Sequence, residues 1–344
     1  MIESSTVITE ITNMIELSTV TKEITTQQQF TTTTHNPTTE ASIEPKCDKW
    51  NQHGITVAGG NGDGDQLNQL ALPCGMYIDD NKSILIADTV NHRIVEWKYN
   101  AKEGQIIAGG NGQGNSLDQL SVPIDIAVDK EKNVIIVCDR GNRRVVRWFR
   151  QSQTNSQILI SAIECGGVAI DKDGSIYVSD EEKNEVRRWK EGDTNGTLVA
   201  GGNGAGYRSN QLKNPMKIFV DEEYSVYVAD QENHRIMKWK KDAKEGILVA
   251  GGNGAGPNLN QLYMPLAVIV NNLGQIYIAV PFGHQIMQWR EGDAQGSIVA
   301  GGNGEGDEPD QLLFPRGVSF DNEGNLYVAD SQNHRIQKYE RCTE

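Results

Sequence analysis

The chain has 344 residues with 46 acidic and 32 basic side chains, a formal net charge of −14. Hydrophobic residues make up 37% of it, enough at this length to bury a real core in one large domain or two small ones. The acid excess speaks against nucleic acid as a partner, since basic clusters supply most affinity for phosphate backbones, and no apolar run approaches a membrane span. No basic start followed by an apolar stretch opens the chain, so a signal peptide is not expected.

Residues 1–46 hold 13 Thr and 4 Ser, with Phe30 as their one aromatic. Ser5-Thr6-Val7 with Glu10-Ile11-Thr12 returns as Ser18-Thr19-Val20 with Glu23-Ile24-Thr25. Such a segment buries too little surface to offset its ordering entropy. The expectation is a disordered Thr-rich tail, either an O-glycosylated stalk or a plain linker.

From Cys47 onward the chain repeats, and the domain is expected to fill 47–344. Val57-Ala58-Gly59-Gly60-Asn61-Gly62 recurs at Ile107, Val199, Val249 and Val299. A second signature joins Asp88 to Asn91-His92-Arg93-Ile94 and Trp97. It returns at Asp139, Asp230 and Asp330, and in degenerate form at Asp180 and at Val280, six copies in all. Each copy reads as four short strands. The second is nearly all apolar, as a strand covered on both faces should be. The third sets Ile236 and Trp239, for example, three residues apart and therefore on opposite faces. Six sheets with apolar anchors on both faces predict an all-β fold, a six-bladed β-propeller. The last copy stops after its third strand, while Ile55-Thr56-Val57-Ala58 precedes the first copy as an orphan fourth. The amino-terminal strand is expected to complete the last blade and remove both open edges.

The Asp-x-x-Asn-His-Arg-Ile core, preceded by Tyr-Val-Ala-Asp, resembles the NHL repeat, and the resemblance spans roughly residues 55–340. It implies a six-bladed propeller that binds a protein, and in some members RNA, through one face. It also implies two alternatives: the substrate-binding propeller of a ubiquitin-ligase system, and a metal-dependent lyase or hydrolase. There is no Cys-x-x-Cys pair, so a RING domain is not encoded.

His92, His234, His284 and His334 recur at one repeat position, which favours a structural role in the turn between second and third strands over metal ligation. The Gly-Gly-Asn-Gly loops lead into strands rather than a helix, which argues against a phosphate cradle, and Gly64 stands where a calcium motif needs Asp. No metal or cofactor is expected. Gln66-Leu67, or in better register Gln69-Leu70, and their counterparts are expected to plug the links between blades. Near the first strands, where a catalytic channel would need blade-specific acids, only Asp125 and Glu164 stand out.

Departures from the repeat are the binding candidates. Repeat-equivalent positions 79, 129, 171, 221, 271 and 321 advance by 50 except for one step of 42, where the glycine loop after blade two is missing. Beside the gap run Arg140, Arg143, Arg144, Arg147 and Arg150, a basic strip in an acidic protein. Blade five replaces the Asp with Val280-Pro281-Phe282, so Pro281 and Phe282 are expected to offer apolar groups at a loop tip. The ligand face is expected to be the one carrying the glycine loops and Asp-x-x-Asn turns. Of five cysteines, Cys47 with Cys342 would staple the ring closure, Cys138 with Cys165 would bridge the shortened link, and Cys74 would stay reduced. Asn81 and Asn195 fit glycosylation sequons. The reading is a monomeric, non-catalytic recognition module for a protein or glycoconjugate, extracellular or at the cell surface, with a cytoplasmic location as the alternative.

Overall fold

A computed structural model describes residues 50–150 and 156–342. The expectations for the tail at 1–46 and for Cys47 lie outside these residues. The described chain forms six four-stranded antiparallel sheets. Blade one contains Pro73–Ile78, Ile84–Asp88, Arg93–Trp97 and Gln105–Gly109. Blade two contains Pro123–Asp129, Val134–Asp139, Arg144–Phe149 and Ser156–Ser161. Blade three follows with Cys165–Ile170, Ile176–Asp180, Glu185–Trp189 and Thr197–Gly201. Blades four and five begin with Pro215–Val220 and Ala267–Val270. Blade six takes Pro315–Phe320, Leu326–Asp330 and Arg335–Tyr339 from the end of the chain and Ile55–Gly59 from its beginning.

That last pairing closes the ring. Ile55 lies opposite Lys338, Ala58 opposite Ile336, and Gly59 opposite Arg335. Both sheet edges that an open ring would expose are consumed. Gly59 ends the strand at φ +67°, and a Cβ there would fall 2.4 Å from the His334 carbonyl oxygen, so only glycine fits without displacement. Ahead of the strand, Trp50 is buried, edge-on to Tyr277 at 5.5 Å, and its Nε1 donates to the Gly324 carbonyl at 3.0 Å. This anchor was not legible in the sequence because it lies outside the repeat.

Cores lie between blades rather than within them. Ile94 and Ala108 of blade one pack with Ile126, Val128 and Trp148 of blade two, while Trp97 packs with Tyr327 and Ile336 of blade six. Alternation along the third strand thus sends its isoleucine to the next blade and its aromatic to the preceding one. Trp189 of blade three is only half-buried. Every residue of all six second strands is buried.

Candidate functional site: the mouth of the propeller ring

The first strands touch one another around the ring and form its inner wall. Pro315 lies opposite Asp330, Asp330 opposite Arg335, and Arg335 opposite Gly59. The glycine loops, the Asp-x-x-Asn turns and the starts of the first strands therefore share one end of the sheets, here called the mouth.

The repeated polar residues at this end form a clasp. Asp230 is fully buried, and its Oδ1 accepts the Lys213 amide at 2.7 Å. Its Oδ2 accepts from Asn233 Nδ2 at 2.8 Å and Arg235 Nε at 2.6 Å. Arg235 then donates to the carbonyls of Tyr207, Arg208 and Gln211, gripping the loop that leads into its own blade. The same pattern recurs at Asp88 with Arg93, Asp139 with Arg144, and Asp330 with Arg335. Burial pushes these carboxyls up from the ordinary range, opposed by their amide and guanidinium donors. Within the loops Leu70, Leu120, Leu212, Leu262 and Leu312 are fully buried, whereas Leu67 is exposed, so the plug is Gln69-Leu70 and not Gln66-Leu67.

The histidines have the structural role expected of them, and a second one between blades. Each takes a left-handed backbone, φ 53° at His92 and 55° at His234; its amide closes its own turn, while its imidazole reaches the next blade. His92 Nδ1 accepts the Val122 amide at 3.1 Å, and His234 Nδ1 accepts that of Met264 at 3.2 Å. His284 and His334 accept from Phe314 and Leu72 in the same way. Asn184 substitutes in blade three, its Oδ1 taking the Asn214 amide at 2.9 Å. The four imidazoles are thus spread around the ring as blade-to-blade clips. Among the described residues no group of three or more His, Cys, Asp or Glu is placed to hold a metal ion.

A clip of this kind is sensitive to acid. Burial holds the His92 and His234 pKa values below the ordinary imidazole value of 6.5. The unfolded chain binds protons near pH 6.5 that the folded chain refuses, so stability is whole above that pH and falls as pH drops through the lower folded values. The His92→Asn, His234→Asn double variant, copying blade three, is expected to fold and to lessen the fall in thermal stability as pH drops below 6.5. An unchanged pH slope in melting experiments would contradict the role.

At the shortened link the two departures of blade three prove to be one. Its loop is missing, and Glu185 replaces the arginine that would have gripped it. The gap is closed covalently by a Cys138–Cys165 disulfide, as expected from the sequence, while Cys74 is a buried free thiol. Arg140 pairs with Glu181 at 2.7 Å, and Arg143 pairs with Glu164 at 2.9 Å and with Glu182. The expected basic strip is therefore dispersed. Arg140 and Arg143 are at the mouth and joined to acids of blade three. Arg144 belongs to the buried clasp and offers no binding surface; charge reversal there would break the scaffold. Arg147 faces Glu191, and Arg150 faces Glu96.

Phe282 is not a bare loop tip. It stacks on Tyr263 with ring centroids 4.8 Å apart and meets Phe314 edge-on, also at 4.8 Å. Pro281 is buried and opens a single 3-10 turn, Pro281–Gly283. The aromatic patch is partly open, since Phe282 and Tyr263 are each half-buried.

The residue after each second strand forms an inner ring that differs in every blade: Thr89, Arg140, Glu181, Gln231, Pro281 and Ser331. Below it, Asp125 is committed to Lys217 at 3.5 Å and to the Val168 amide at 3.0 Å. Gly167 makes that pairing possible, because a Cβ there would lie 2.6 Å from the Lys217 Cα. Glu164 is held by the two arginines. The two acids singled out in the sequence are thus both engaged in ion pairs.

Asn81 and Asn195 are exposed in connections between strands. No described helix is long and apolar enough to cross a membrane.

The NHL repeat family model matches residues 312–339, the last of the six copies. Together with the blade arrangement this defines the molecule as a six-bladed β-propeller bearing an NHL repeat. The comparison with curated protein sequences found no match. Among solved structures, it is similar to an auxiliary nutrient binding protein from Bacteroides thetaiotaomicron, with 16% identity, a TM-score of 0.65, and coverage of 84% of this chain and 76% of that one. It is also similar to a gluconolactonase from Xanthomonas campestris, at 12% identity and a TM-score of 0.59, covering 86% and 100%. A streptogramin B lyase follows the fold at 10% identity and a TM-score of 0.56, covering 86% and 99%. At these identities the likeness is one of fold.

Proposed function

We propose that this propeller is a non-catalytic recognition module that binds a protein partner at the mouth of the ring. The observation that carries the reading is the division of labour among residues at that end. The repeated Asp, Asn, His and Arg side chains are spent on clasps and clips, while the inner ring and the Tyr263–Phe282–Phe314 patch differ from blade to blade. A half-open aromatic cluster beside paired charges is the composition of an interaction centre. Arg140 and Arg143, already partnered, would supply orientation more than raw attraction.

An extracellular or cell-surface setting is part of the proposal. The Cys138–Cys165 disulfide and the exposed Asn195 sequon support it, as does the likeness to an auxiliary nutrient binding protein. Phe282→Asp is expected to weaken partner binding at least about tenfold, as loss of an aromatic anchor does, without lowering the melting temperature by more than a few degrees. Leu273→Asp, at an exposed turn on the opposite end, should bind normally. Equal binding by wild type and Phe282→Asp would sink the reading.

A further inference from the structure

Among the described residues, Arg316 is the buried arginine at the mouth that meets no acid. It is 5% exposed, and its Nε and Nη2 are buried without a hydrogen-bond partner. Its guanidinium lies over the Phe314 ring at 5.3 Å, and burial pulls its pKa below the ordinary arginine value. The contrast with its neighbours is sharp: Arg93, Arg144, Arg235 and Arg335 each meet an aspartate at 2.6 to 2.7 Å. A buried cation without a counter-charge costs several kcal/mol, on the order of the penalty for desolvating any ion. The cost stands apart from the repeated arginines of the clasps, each of which is answered by an aspartate and by loop carbonyls.

We propose that Arg316 anchors a carboxylate-binding site at the mouth of the ring, taking a monoanion carried on an aromatic or apolar body. The planar guanidinium fork matches a carboxylate in two parallel hydrogen bonds. The wall behind it is aromatic, with Phe314 buried and Phe282 and Tyr263 half-open in sequence beside it. The other cation in range, Arg140, is joined to Glu181 and Glu164, so one positive charge is available and a dianion would be half compensated. The ligand meets the fork when the Arg316 side chain turns from Phe314 toward the mouth. The site shares the aromatic patch with the partner reading above but is anchored by Arg316, which that reading does not use, so the two can fail separately.

The carboxylate has two possible sources, a free aryl acid or the end of a chain that finishes in an aromatic residue. Calorimetric titration of the whole protein with phenylacetate, with its amide, and with a tripeptide ending in Phe as acid or amide separates them. Saturable binding of an acid but not of its amide is expected, weakened at least about 30-fold in Arg316→Met, as truncating one partner of a desolvated charge pair does. Binding of the peptide acid alone assigns a chain end, and binding of phenylacetate alone assigns a free acid. No saturable binding of either acid at about 10 mM, weaker than any useful affinity, overturns the site, as does equal binding by Arg316→Met. If that variant does not fold, Arg316→Lys keeps the charge and loses the fork; unchanged affinity there also overturns it.

Discussion

Arg235→Met is expected to cost about 3–5 kcal/mol of folding stability, the range seen when one partner of a buried ion pair is removed. Asp230 is fully buried and would keep its charge with only the Lys213 amide and Asn233 to answer it. The loop carbonyls of Tyr207, Arg208 and Gln211 would lose their donors at the same time. Blade five indicates how the chain lives without the pair: Val280 stands for the aspartate and Gln285 for the arginine. The double variant Asp230→Val, Arg235→Gln should therefore recover much of the loss, because it removes the stranded carboxylate. Urea unfolding of the two variants measures both. A loss below about 1 kcal/mol for Arg235→Met, the scale of an exposed ion pair, would contradict the clasp.

Cys342→Ser is expected to have a comparable or larger effect. Cys342 carries a disulfide, and its proposed partner Cys47 lies just ahead of the closing strand. A bridge between them spans nearly the whole domain, and on the loop-entropy model contributes on the order of 5 kcal/mol by restricting the unfolded chain. The native contacts of the closing strand would survive, so the loss should appear as easier unfolding with little change in the folded spectrum. A non-reducing peptide map joining residues 47 and 342 establishes the pairing. A variant that unfolds at the wild-type midpoint would show that hydrogen bonds between Ile55–Gly59 and Arg335–Tyr339 hold the ring alone.

The architecture was readable because every blade repeats the same solution. Alternation placed Ile236 and Trp239 on opposite faces, and the missing last strand pointed to Ile55-Thr56-Val57-Ala58. The 42-residue step located the Cys138–Cys165 bridge, since a deleted loop leaves two strand ends that must meet. What could not be read were contacts that join blades or depend on side-chain direction. His92 reaches Val122, 30 positions away, and nothing in the Asn-His-Arg triplet reveals that its partner is the next blade's amide. Arg140, Arg143 and Arg144 look like one strip on paper. In space Arg144 is buried against Asp139, because the strand begins there, while its neighbours in the preceding turn meet glutamates from blade three. Arg316 gives no signal in sequence at all. An arginine after proline is ordinary until the surroundings are seen to lack an acid.

Recognition at the mouth is tested most directly by photo-crosslinking at two single positions in the protein's native surroundings. Phe282→benzoylphenylalanine places the probe in the aromatic patch, and Leu273→benzoylphenylalanine places it on an exposed turn at the opposite end of the same blade. The account predicts a discrete protein adduct from position 282 and none from position 273. Adducts from position 273 alone would move recognition to the other face and contradict it.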